Sequence, residues 1–426
     1  MAVEIQNAPA KQSAAGYTGY VQETPDYEFK VRASVYTDPA VFADEMRLIF
    51  ESTWVYVGHE SEIPKPGDFK TAAIGRLPVI VSRDQDRKIN VMLNICRHRA
   101  AAVCNEERGN TRYFHCPYHQ WTYGVDGKLA AMSDEEGYPA GWRERIGGLL
   151  HAACVSIYHG MIFARMTAQG ESLEEYLGPI KKHVDLWFSQ SPTSSIKVLP
   201  PTITRYPANW KFQVENTTDG WHARYVHASA FKILEEQGMR DRKRGLVGCA
   251  RAGGYGHGVL DRPLRRFFSG DIMDRYRNTL AEQYGKERAA RVAEYGGQIT
   301  LFPTLHLMEH RFRVVQPVSV AETLVYEYPV LFDGVPEEVN LEIKERFTQE
   351  GGSMVGGFIN TDDIEIFARA QIALNAGHYL EYLDMSRGMA VEREEPDGER
   401  ISEAAHELTQ RSIYREWARL MTADRR

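Results

Sequence analysis

Cys96-Arg-His98 and Cys116-Pro-Tyr-His119 stand seventeen residues apart in this chain of 426 residues. Each segment puts one thiol and one imidazole into the same short stretch, so two loops can bring four metal-binding side chains to one place. Two cysteines and two histidines predict a bound metal group, and their order along the chain indicates which kind.

The alternating order matches the ligands of a Rieske 2Fe-2S centre, in which two thiolates bind one iron and two imidazoles bind the other. Neutral imidazoles reduce the negative charge around the cluster and raise its reduction potential to roughly −150 to +300 mV, against roughly −400 mV for plant-type ferredoxins. Cys96, His98, Cys116 and His119 are therefore the predicted ligands of a one-electron carrier.

A structural zinc site is the alternative interpretation of the same four residues. Zinc sites of this composition usually pair the cysteines in Cys-x2-4-Cys and the histidines in His-x3-5-His, which is not the order found here. The other cysteines, Cys104, Cys154 and Cys249, are expected to be free thiols. Five cysteines, at least two of them needed as thiolates, favour a reducing compartment over a disulfide scaffold.

The composition predicts a folded chain, because 43% of the residues are apolar. The length predicts two or three domains, because a domain takes about 150 residues. The N-terminus lacks the pattern of a signal peptide, and no stretch reaches the roughly 20 apolar residues of a membrane span. A cytoplasmic protein with no membrane partner is expected. The net charge of −7 gives no general attraction to nucleic acid.

Two local basic runs, at residues 240–244 and 262–266, depart from this acidic balance. Solvated loops are the favoured interpretation, and a docking patch for an acidic electron-transfer partner is the alternative.

The pattern along the chain predicts a short helix and then strands. Thr37-Asp38-Pro39 is typical of a helix start, with proline in the first turn. Val79–Val81 and Ile89–Ile95 are strand-like, and the second runs directly into Cys96. The turn-rich Ser189–Ser195 suits a connection between domains.

The second half alternates strand-like runs with helical patterns. The strand-like runs are Ile196–Ile203, Arg311–Val315 and Thr323–Tyr328. This mixture predicts an antiparallel α+β domain instead of a doubly wound parallel sheet.

A second metal site is suggested by Asn209-Trp-Lys-Phe-Gln-Val-Glu-Asn-Thr-Thr-Asp219-Gly-Trp-His222-Ala-Arg-Tyr-Val-His227. Two histidines and one carboxylate form the facial triad of mononuclear non-haem iron, which leaves coordination positions open for O2. On an ideal helix Asp219 and His222 share a face, whereas His222 and His227 are about 140° apart. If both histidines bind one ion, the helix must end or distort before His227.

Together these segments resemble the large, or alpha, subunits of Rieske non-haem iron aromatic ring-hydroxylating oxygenases, over nearly the whole chain. The resemblance includes a third element, Gly357-Phe-Ile-Asn-Thr-Asp362-Asp363, and implies that Asp363 completes the iron triad of His222 and His227. Asp362 is the second choice. The alternative is that both acids only stabilise the first turn of a helix.

The resemblance also implies the fold and the domain bounds. It predicts an α+β chain with an N-terminal, mostly-β Rieske domain and a C-terminal catalytic domain of antiparallel sheet and helices, of the helix-grip, START-like kind. The expected bounds are 1–38 for an arm packed on the catalytic domain, 39–170 for the Rieske domain and 171–426 for the catalytic domain.

In such proteins Asp219 is similar to the carboxylate that bridges an iron-binding histidine to a cluster-binding histidine, here His119, of a neighbouring chain. The resemblance implies a homotrimer, or an α3β3 hexamer with a small beta subunit. NADH electrons would arrive through a reductase, with or without a ferredoxin, because the sequence has no Gly-x-Gly-x-x-Gly dinucleotide motif after a strand.

The segments are most similar to the benzoate, anthranilate and salicylate branch, which implies O2-dependent hydroxylation of an aromatic carboxylate. Candidate pocket residues are Asn216, Leu305, Leu307 and Ile359, with Arg224, His306 or Asn216 as partners of the carboxylate. The metal ligands do not choose between dihydroxylation, monohydroxylation and demethylation. A Rieske electron carrier without oxygenase activity and a zinc-stabilised scaffold are the alternatives from other classes.

Overall fold

The structure is a computed structural model that describes residues 14–236, 247–263, 270–348 and 359–423. Its residues cluster into two compact units. Within the described ranges, no helix is both long and apolar enough to cross a membrane.

One unit is formed by Phe50–Leu173, and the other takes in the described residues of Met1–Ile49 and Glu174–Arg426. The first unit contains all four predicted cluster ligands and the second contains the predicted iron triad. The first unit begins at Phe50, whereas the expected Rieske domain began at residue 39, so the short helix after Asp38 belongs with the second unit.

The regular elements are numbered in chain order. The strands are β1 Val21–Glu23, β2 Phe29–Arg32, β3 Val55–His59, β4 Asp68–Ile74, β5 Leu77–Arg83, β6 Ile89–Leu93, β7 Arg108–Asn110, β8 Tyr113–His115, β9 Thr122–Gly124, β10 Leu129–Ala131, β11 Cys154–Tyr158, β12 Met161–Arg165, β13 Ile196–Val198, β14 Thr202–Tyr206, β15 Cys249–Ala252, β16 Gly258–Asp261, β17 Gln298–Leu301, β18 Leu305–Met308, β19 Arg311–Ser319, β20 Glu322–Phe332, β21 Tyr382–Asp384, β22 Arg393–Glu394 and β23 Arg400–Glu403. The helices are α1 Pro39–Glu45, α2 Trp142–Ile146, α3 Leu173–Leu177, α4 Lys181–Phe188, α5 Trp210–Thr217, α6 Ala223–Val226, α7 Ala228–Glu236, α8 Asp271–Tyr284, α9 Lys286–Ala293, α10 Glu337–Arg346, α11 Asn360–Ala373 and α12 Leu408–Thr422.

The unit Phe50–Leu173 is built from three antiparallel sheets, in the strand orders β6-β5-β4-β7, β10-β9-β8 and β11-β12-β3. One core cluster of this unit includes Cys96 and Cys116 together with Trp121, Tyr123 and Met92. Because Cys96 follows the end of β6 and Cys116 follows the end of β8, the two loops start from a rigid, buried framework. The expected mostly-β domain is confirmed.

The other unit is dominated by a large antiparallel sheet in the order β13-β20-β19-β18-β17-β16-β15-β23-β22, with β14 also paired to β20. A smaller sheet, β1-β2-β21, joins the N-terminal segment to the C-terminal part of the chain. The predicted antiparallel α+β domain is confirmed, although the expected single strand Ile196–Ile203 is two strands. Pro200 and Pro201 lie between them, and proline cannot donate a ladder hydrogen bond.

One face of the large sheet packs against α4. Trp187 of this helix lies with its ring centroid 5.4 Å from that of Phe312 on β19 and 5.6 Å from that of Phe332 on β20. Side chains alternate between faces along a strand, so the neighbours of Phe312 on β19 point to the other side.

The opposite face is covered by α5, α11 and α12, and we call it the helix-covered face. Thr300 on β17 lies 3.4 Å from Thr218 at the end of α5, and Tyr206 on β14 contacts Phe367 of α11 with ring centroids 5.7 Å apart. Thr409 on α12 donates to the carbonyl of Thr218 at 3.1 Å. The helices that carry the predicted iron ligands therefore lie on this face.

Glu45 at the end of α1 ties three helices together inside the same unit. Its carboxylate accepts hydrogen bonds from Lys211 at 2.7 Å, Trp210 at 2.9 Å and Trp417 at 2.7 Å. Glu45 and Lys211 are both fully buried, and burial lowers the pKa of Lys211. Three donors on one carboxylate fix α1, α5 and α12 relative to each other, since a buried charge is tolerated only with such partners.

Candidate metal centres

The two cluster loops share one backbone design. The amide of Cys96 donates to the carbonyl of Ala101 at 2.8 Å, and the amide of Cys116 donates to that of Trp121 at 2.8 Å. The fourth residue after each cysteine, Ala100 or Gln120, has a positive φ of 59° or 56°. Each loop thus folds back on itself and turns its cysteine and histidine to the same side.

The side chains of both loops fit a Rieske cluster. The imidazoles of His98 and His119 lie with ring centroids 4.5 Å apart, and the buried Nδ1 atom of each has no hydrogen-bond partner among the residues that the structure describes. Cys96 and Cys116 are buried and free. Burial raises the pKa of the Cys116 thiol, because the thiolate loses contact with water. A thiolate at this position is therefore stable only beside a cation such as a metal ion. Cys104, Cys154 and Cys249 are also free thiols.

Two residues that support the cluster loops were not predicted. Asn94 accepts hydrogen bonds from the amides of Val103 and Cys104 at 2.9 and 3.0 Å, and so holds the first loop closed. The hydroxyl of Tyr123 lies 3.2 Å from Sγ of Cys96 and accepts from the amide of Arg97 at 3.0 Å. With its oxygen occupied by Arg97, the hydroxyl can donate its proton to the sulfur.

Tyr123→Phe is expected to lower the reduction potential of the cluster. A hydroxyl that donates to a ligating sulfur stabilises the more negative, reduced form. The loss of about 1 kcal/mol of such stabilisation corresponds to roughly 40 mV for one electron. A redox titration followed by visible absorption measures the shift.

Tyr118→Phe is the matched control, because Tyr118 is exposed and stacks its ring on His119 at 3.9 Å. The phenylalanine ring keeps this stacking. A Tyr123→Phe potential equal to that of wild type would show that the hydroxyl does not act on the cluster.

The candidate mononuclear site lies around a break between helices. α5 ends at Thr217, and the four-residue α6 begins after His222 and ends before His227. The prediction that the helix must end before His227 is confirmed. Asp362 and Asp363 lie in the first turn of α11, so the helix of the alternative interpretation is present. Asp363 also faces the two histidines, so a place at the start of a helix does not exclude a role as a metal ligand.

His222, His227 and Asp363 each offer one ligand atom, and these atoms all lie within 4.8 Å of one another. Oδ1 of Asp363 is 3.6 Å from Nε2 of His222 and 3.3 Å from Nε2 of His227. Donor atoms that bind one ion at about 2.1 Å and at right angles lie about 3 Å apart. The three side chains therefore fit a single ion bound by two imidazoles and one carboxylate.

The other nitrogen of each imidazole faces a carboxylate. Nδ1 of His222 is 3.4 Å from Oδ2 of Asp219, and Nδ1 of His227 is 3.4 Å from Oδ2 of Asp362. Such carboxylates orient metal-binding histidines and select their tautomer. Asp362 thus lies outside the group of three ligand atoms, on the far side of His227.

Charge and burial are consistent with this arrangement. Burial opposes protonation of His227, but Asp363 and Asp362 raise its pKa overall. For Asp219 burial opposes ionisation, yet His222 and the amide of Trp221, which donates at 2.6 Å, lower its pKa overall. The carboxylates on both sides of the histidines favour a bound cation.

Among the predicted pocket residues, Asn216 is part of the site. Its Nδ2 lies 3.1 Å from Nε2 of His222 and 3.2 Å from Oδ1 of Asp363. Ile359 directly precedes α11. Arg224 is exposed, which does not suit a partner for a buried carboxylate.

Leu305 and Leu307 do not share the face that carries the metal site. They pair with Val314 and Phe312 on β19, and Phe312 packs against α4. His306 between them points to the helix-covered face, because neighbouring residues of a strand point to opposite sides. Their assignment as pocket walls is therefore not supported by the register.

Some predicted features lie outside the described residues. They are Gly357 and Phe358 of the third motif and the basic run at 240–244. Of the second basic run, Arg262 is described and pairs with Glu309 at 2.9 Å, in an ion pair within its own unit.

Glu215, one residue before Asn216, is predicted to make stability depend on pH. Its carboxyl accepts hydrogen bonds from Tyr36, at 2.7 Å, and Tyr414, and burial raises its pKa from 4.5 to about 7. In the unfolded chain this carboxyl loses its proton near pH 4.5. Stability is therefore expected to fall as pH rises from 4.5 through 7, by roughly 2 kcal/mol after allowing for partial solvent access.

Glu215→Gln is expected to remove this pH dependence, because the amide resembles the protonated carboxyl. Denaturant unfolding at several pH values measures the difference from wild type, with Glu403→Gln at an exposed position as control. Parallel pH profiles of wild type and Glu215→Gln would show that Glu215 does not titrate in this range.

Comparison with known proteins identifies a domain family in each of the two units. Residues 53–140 match the Rieske [2Fe-2S] domain, and residues 173–422 match the catalytic domain of ring hydroxylating alpha subunits.

The chain is similar to two curated large subunits and to a solved dioxygenase. It is 31% identical to the toluate 1,2-dioxygenase subunit alpha of Pseudomonas putida, over 87% of this chain and 84% of that protein. It is 30% identical to the anthranilate 1,2-dioxygenase large subunit of Acinetobacter baylyi, over 88% and 85%. The crystal structure of naphthalene 1,2-dioxygenase from Rhodococcus sp. bound to indole matches with a TM-score of 0.82 and 26% identity, over 94% and 96% of the two chains. The chain belongs to the ring-hydroxylating oxygenase alpha subunits, whose Rieske domain precedes a catalytic domain.

Proposed function

We propose that the enzyme hydroxylates an aromatic carboxylate, and that its two iron centres are held by the residues described above. The observation that carries the proposal is the grouping of His222, His227 and Asp363, each on a separate turn of backbone yet with ligand atoms within 4.8 Å. The similarity to toluate and anthranilate dioxygenases supports the substrate class.

Family membership assigns the cofactors as a Rieske 2Fe-2S cluster and one mononuclear iron. Cys96, His98, Cys116 and His119 would hold the cluster, and the His222–His227–Asp363 group would hold the single ion. When bound, these centres supply single electrons and activate O2 at open coordination positions.

The side chains around the single ion have distinct tasks. Asp219 and Asp362 hold the imidazoles of His222 and His227 in the orientation that turns each Nε2 toward Asp363. Asn216 adds an amide that donates to Oδ1 of Asp363 at 3.2 Å. Asp219 keeps part of its surface exposed, as a bridge to His119 of a neighbouring chain requires.

The proposed partners follow from the family. The enzyme would assemble as a homotrimer or as an α3β3 hexamer, and would receive NADH electrons through a reductase, with or without a ferredoxin. A cytoplasmic location would keep the cluster thiols reduced before the cluster is inserted.

Substrate-dependent O2 uptake, measured with a generic reductase across aromatic acids and neutral arenes, tests the function. Uptake with aromatic acids and incorporation of oxygen from 18O2 into the product are expected. Two labelled oxygen atoms in the product indicate dihydroxylation, and one indicates monohydroxylation or demethylation. NADH oxidation without labelled product, for every compound of the panel, would contradict an oxygenase and favour an electron carrier.

A further inference from the structure

A row of polar side chains crosses the helix-covered face of the large sheet next to the metal site. Strand register pairs Thr300 on β17 with His306 on β18, His306 with Arg313 on β19, and Arg313 with Glu327 on β20. All four side chains are almost fully buried, from 0% to 2% exposed. Buried polar groups of this kind are expected to be paired, so atoms without partners need an explanation.

The row carries more positive than negative charge. Arg313 donates to Oε1 of Glu327 at 2.5 Å, and Nε of Arg311 lies 3.4 Å from Oε2 of the same carboxylate. Arg311 is two residues from Arg313 on the same strand face and is 7% exposed on its side chain. Two buried guanidinium groups thus share one carboxylate, which leaves one positive charge without a counter-ion among the described residues.

Four nitrogen atoms around this charge have no hydrogen-bond partner in the described part of the chain. They are Nε and Nη1 of Arg311, Nε2 of His306 and Nδ2 of Asn360. Burial and the charge of Arg313 hold the pKa of His306 well below its usual range, so the imidazole is neutral. The hydroxyl of Thr300 lies 3.0 Å from Nδ1 of His306, so Nε2 is the ring nitrogen that is left to face a ligand.

The row is attached to both elements that carry the metal site. At one end Thr300 contacts Thr218, which directly precedes Asp219. In the middle, Arg313 donates to Oδ1 of Asn360 at 3.2 Å, and Asn360 precedes Asp363 by one turn of α11, a rise of about 4.5 Å. Same-face neighbours on a strand are about 7 Å apart, so Arg311 lies one step beyond Arg313.

We propose that Arg311, assisted by His306 and Asn360, binds the carboxylate of the substrate and so selects aromatic acids over neutral arenes. An incoming carboxylate supplies the missing negative charge and accepts hydrogen bonds from donors that otherwise have none. Its ring then extends from the sheet toward the α11 end that carries Asp363. This assignment rests on the proposed oxygenase function and gives it a substrate-determining residue.

The sequence alone pointed to His306 but not to Arg311 as a carboxylate partner. Arg311 precedes an apolar residue in a strand-like run, where an arginine is usually solvated. Only the strand register shows that Arg311 lies on the helix-covered face, beside the Glu327 carboxylate that already forms an ion pair with Arg313.

Calorimetric titration of the iron-loaded protein with benzoate and with benzamide, its uncharged isostere, tests the proposal. Wild type is expected to bind benzoate more tightly than benzamide. Arg311→Gln is expected to weaken benzoate binding about 100-fold, because the buried carboxylate of benzoate loses its guanidinium partner. Benzamide carries no charge, so its binding is expected to change by less than about threefold. Arg311→Lys is expected to recover part of the benzoate affinity.

Stability of the variant provides a second readout. An unpaired buried charge is costly, and Arg311→Gln removes the positive charge that has no counter-ion among the described residues. Because Arg313 and Glu327 remain as an ion pair, the unfolding temperature of the variant should not fall. The control is Arg205→Gln, an exposed arginine on β14 that pairs with Glu322, which should affect neither ligand.

Equal affinity of wild type for the two ligands would overturn the proposal, as would benzoate binding in Arg311→Gln within about threefold of wild type. Equal weakening of both ligands would mean that the substitution only damages the pocket, and would also count against it. The oxygenase function is judged separately, because O2 uptake with an aromatic substrate and labelled product would still be found if only the assignment of Arg311 were wrong.

Discussion

Asp363→Ala is expected to abolish binding of the mononuclear iron while the Rieske cluster stays intact. Asp363 is the carboxylate whose Oδ1 faces Nε2 of both His222 and His227, and the remaining pair of imidazoles cannot form a facial triad. Loss of a residue next to a ligand costs 10- to 100-fold in metal affinity or activity, so loss of the ligand itself should cost more than about 100-fold. Iron analysis, visible absorption and turnover together measure the result.

Asp362→Asn is the matched control for this prediction. Asp362 lies one residue away on the same helix and contacts Nδ1 of His227 at 3.4 Å, without reaching the group of three ligand atoms. This variant should keep its iron and lose only part of its activity, roughly 10-fold. If Asp362→Asn loses the iron and Asp363→Ala keeps it, the assignment of the two acids is reversed.

Asp219→Asn is expected to leave both iron centres loaded and to reduce turnover by about 100-fold. Asp219 holds Nδ1 of His222 from outside the ligand group, so the amide removes charge without removing a ligand. The bridge to His119 of a neighbouring chain would lose its carboxylate at the same time. Steady-state oxidation of substrate measures the loss.

A readout specific to electron transfer separates the bridge from a purely structural role. The cluster of Asp219→Asn, reduced in advance, should stay reduced after substrate and O2 are added, whereas the wild-type cluster should reoxidise. Rapid cluster reoxidation in the variant, or full turnover, would contradict the bridge.

Most of the candidate metal ligands could be proposed from the sequence, because they lie close together along the chain. Cys96 with His98 and Cys116 with His119 each lie in one short loop, so their order alone distinguishes a Rieske centre from common zinc sites. The need for a helix break before His227 followed from the helical repeat. Asp363 is distant in sequence, and only resemblance to a family connected it to the histidines.

Residues that depend on long-range packing were missed. Tyr123 contacts Cys96, which lies 27 residues earlier in the chain, and Glu45 contacts Lys211, which lies 166 residues later. Neither pairing has a local pattern, because the partners are brought together only by the sheet and helix arrangement.

The strand register determines which side chains face the metal site, and this could not be predicted from the sequence. Leu305 and Leu307 looked suitable as apolar pocket walls, but pairing with β19 puts them on the α4 face of the sheet. The same register puts His306 and Arg311 on the helix-covered face. A one-residue shift exchanges the two faces of a strand, and the sequence of a strand buried on both faces has no alternation from which to read it.

The claim that one chain holds two different iron centres can be tested by measuring iron and acid-labile sulfide in the protein after anaerobic reconstitution. One Rieske cluster and one mononuclear site predict about three iron ions and two sulfides per chain, and His222→Ala should remove one iron and no sulfide. A colourless protein without sulfide, or wild type with equal iron and sulfide that His222→Ala leaves unchanged, would contradict two centres.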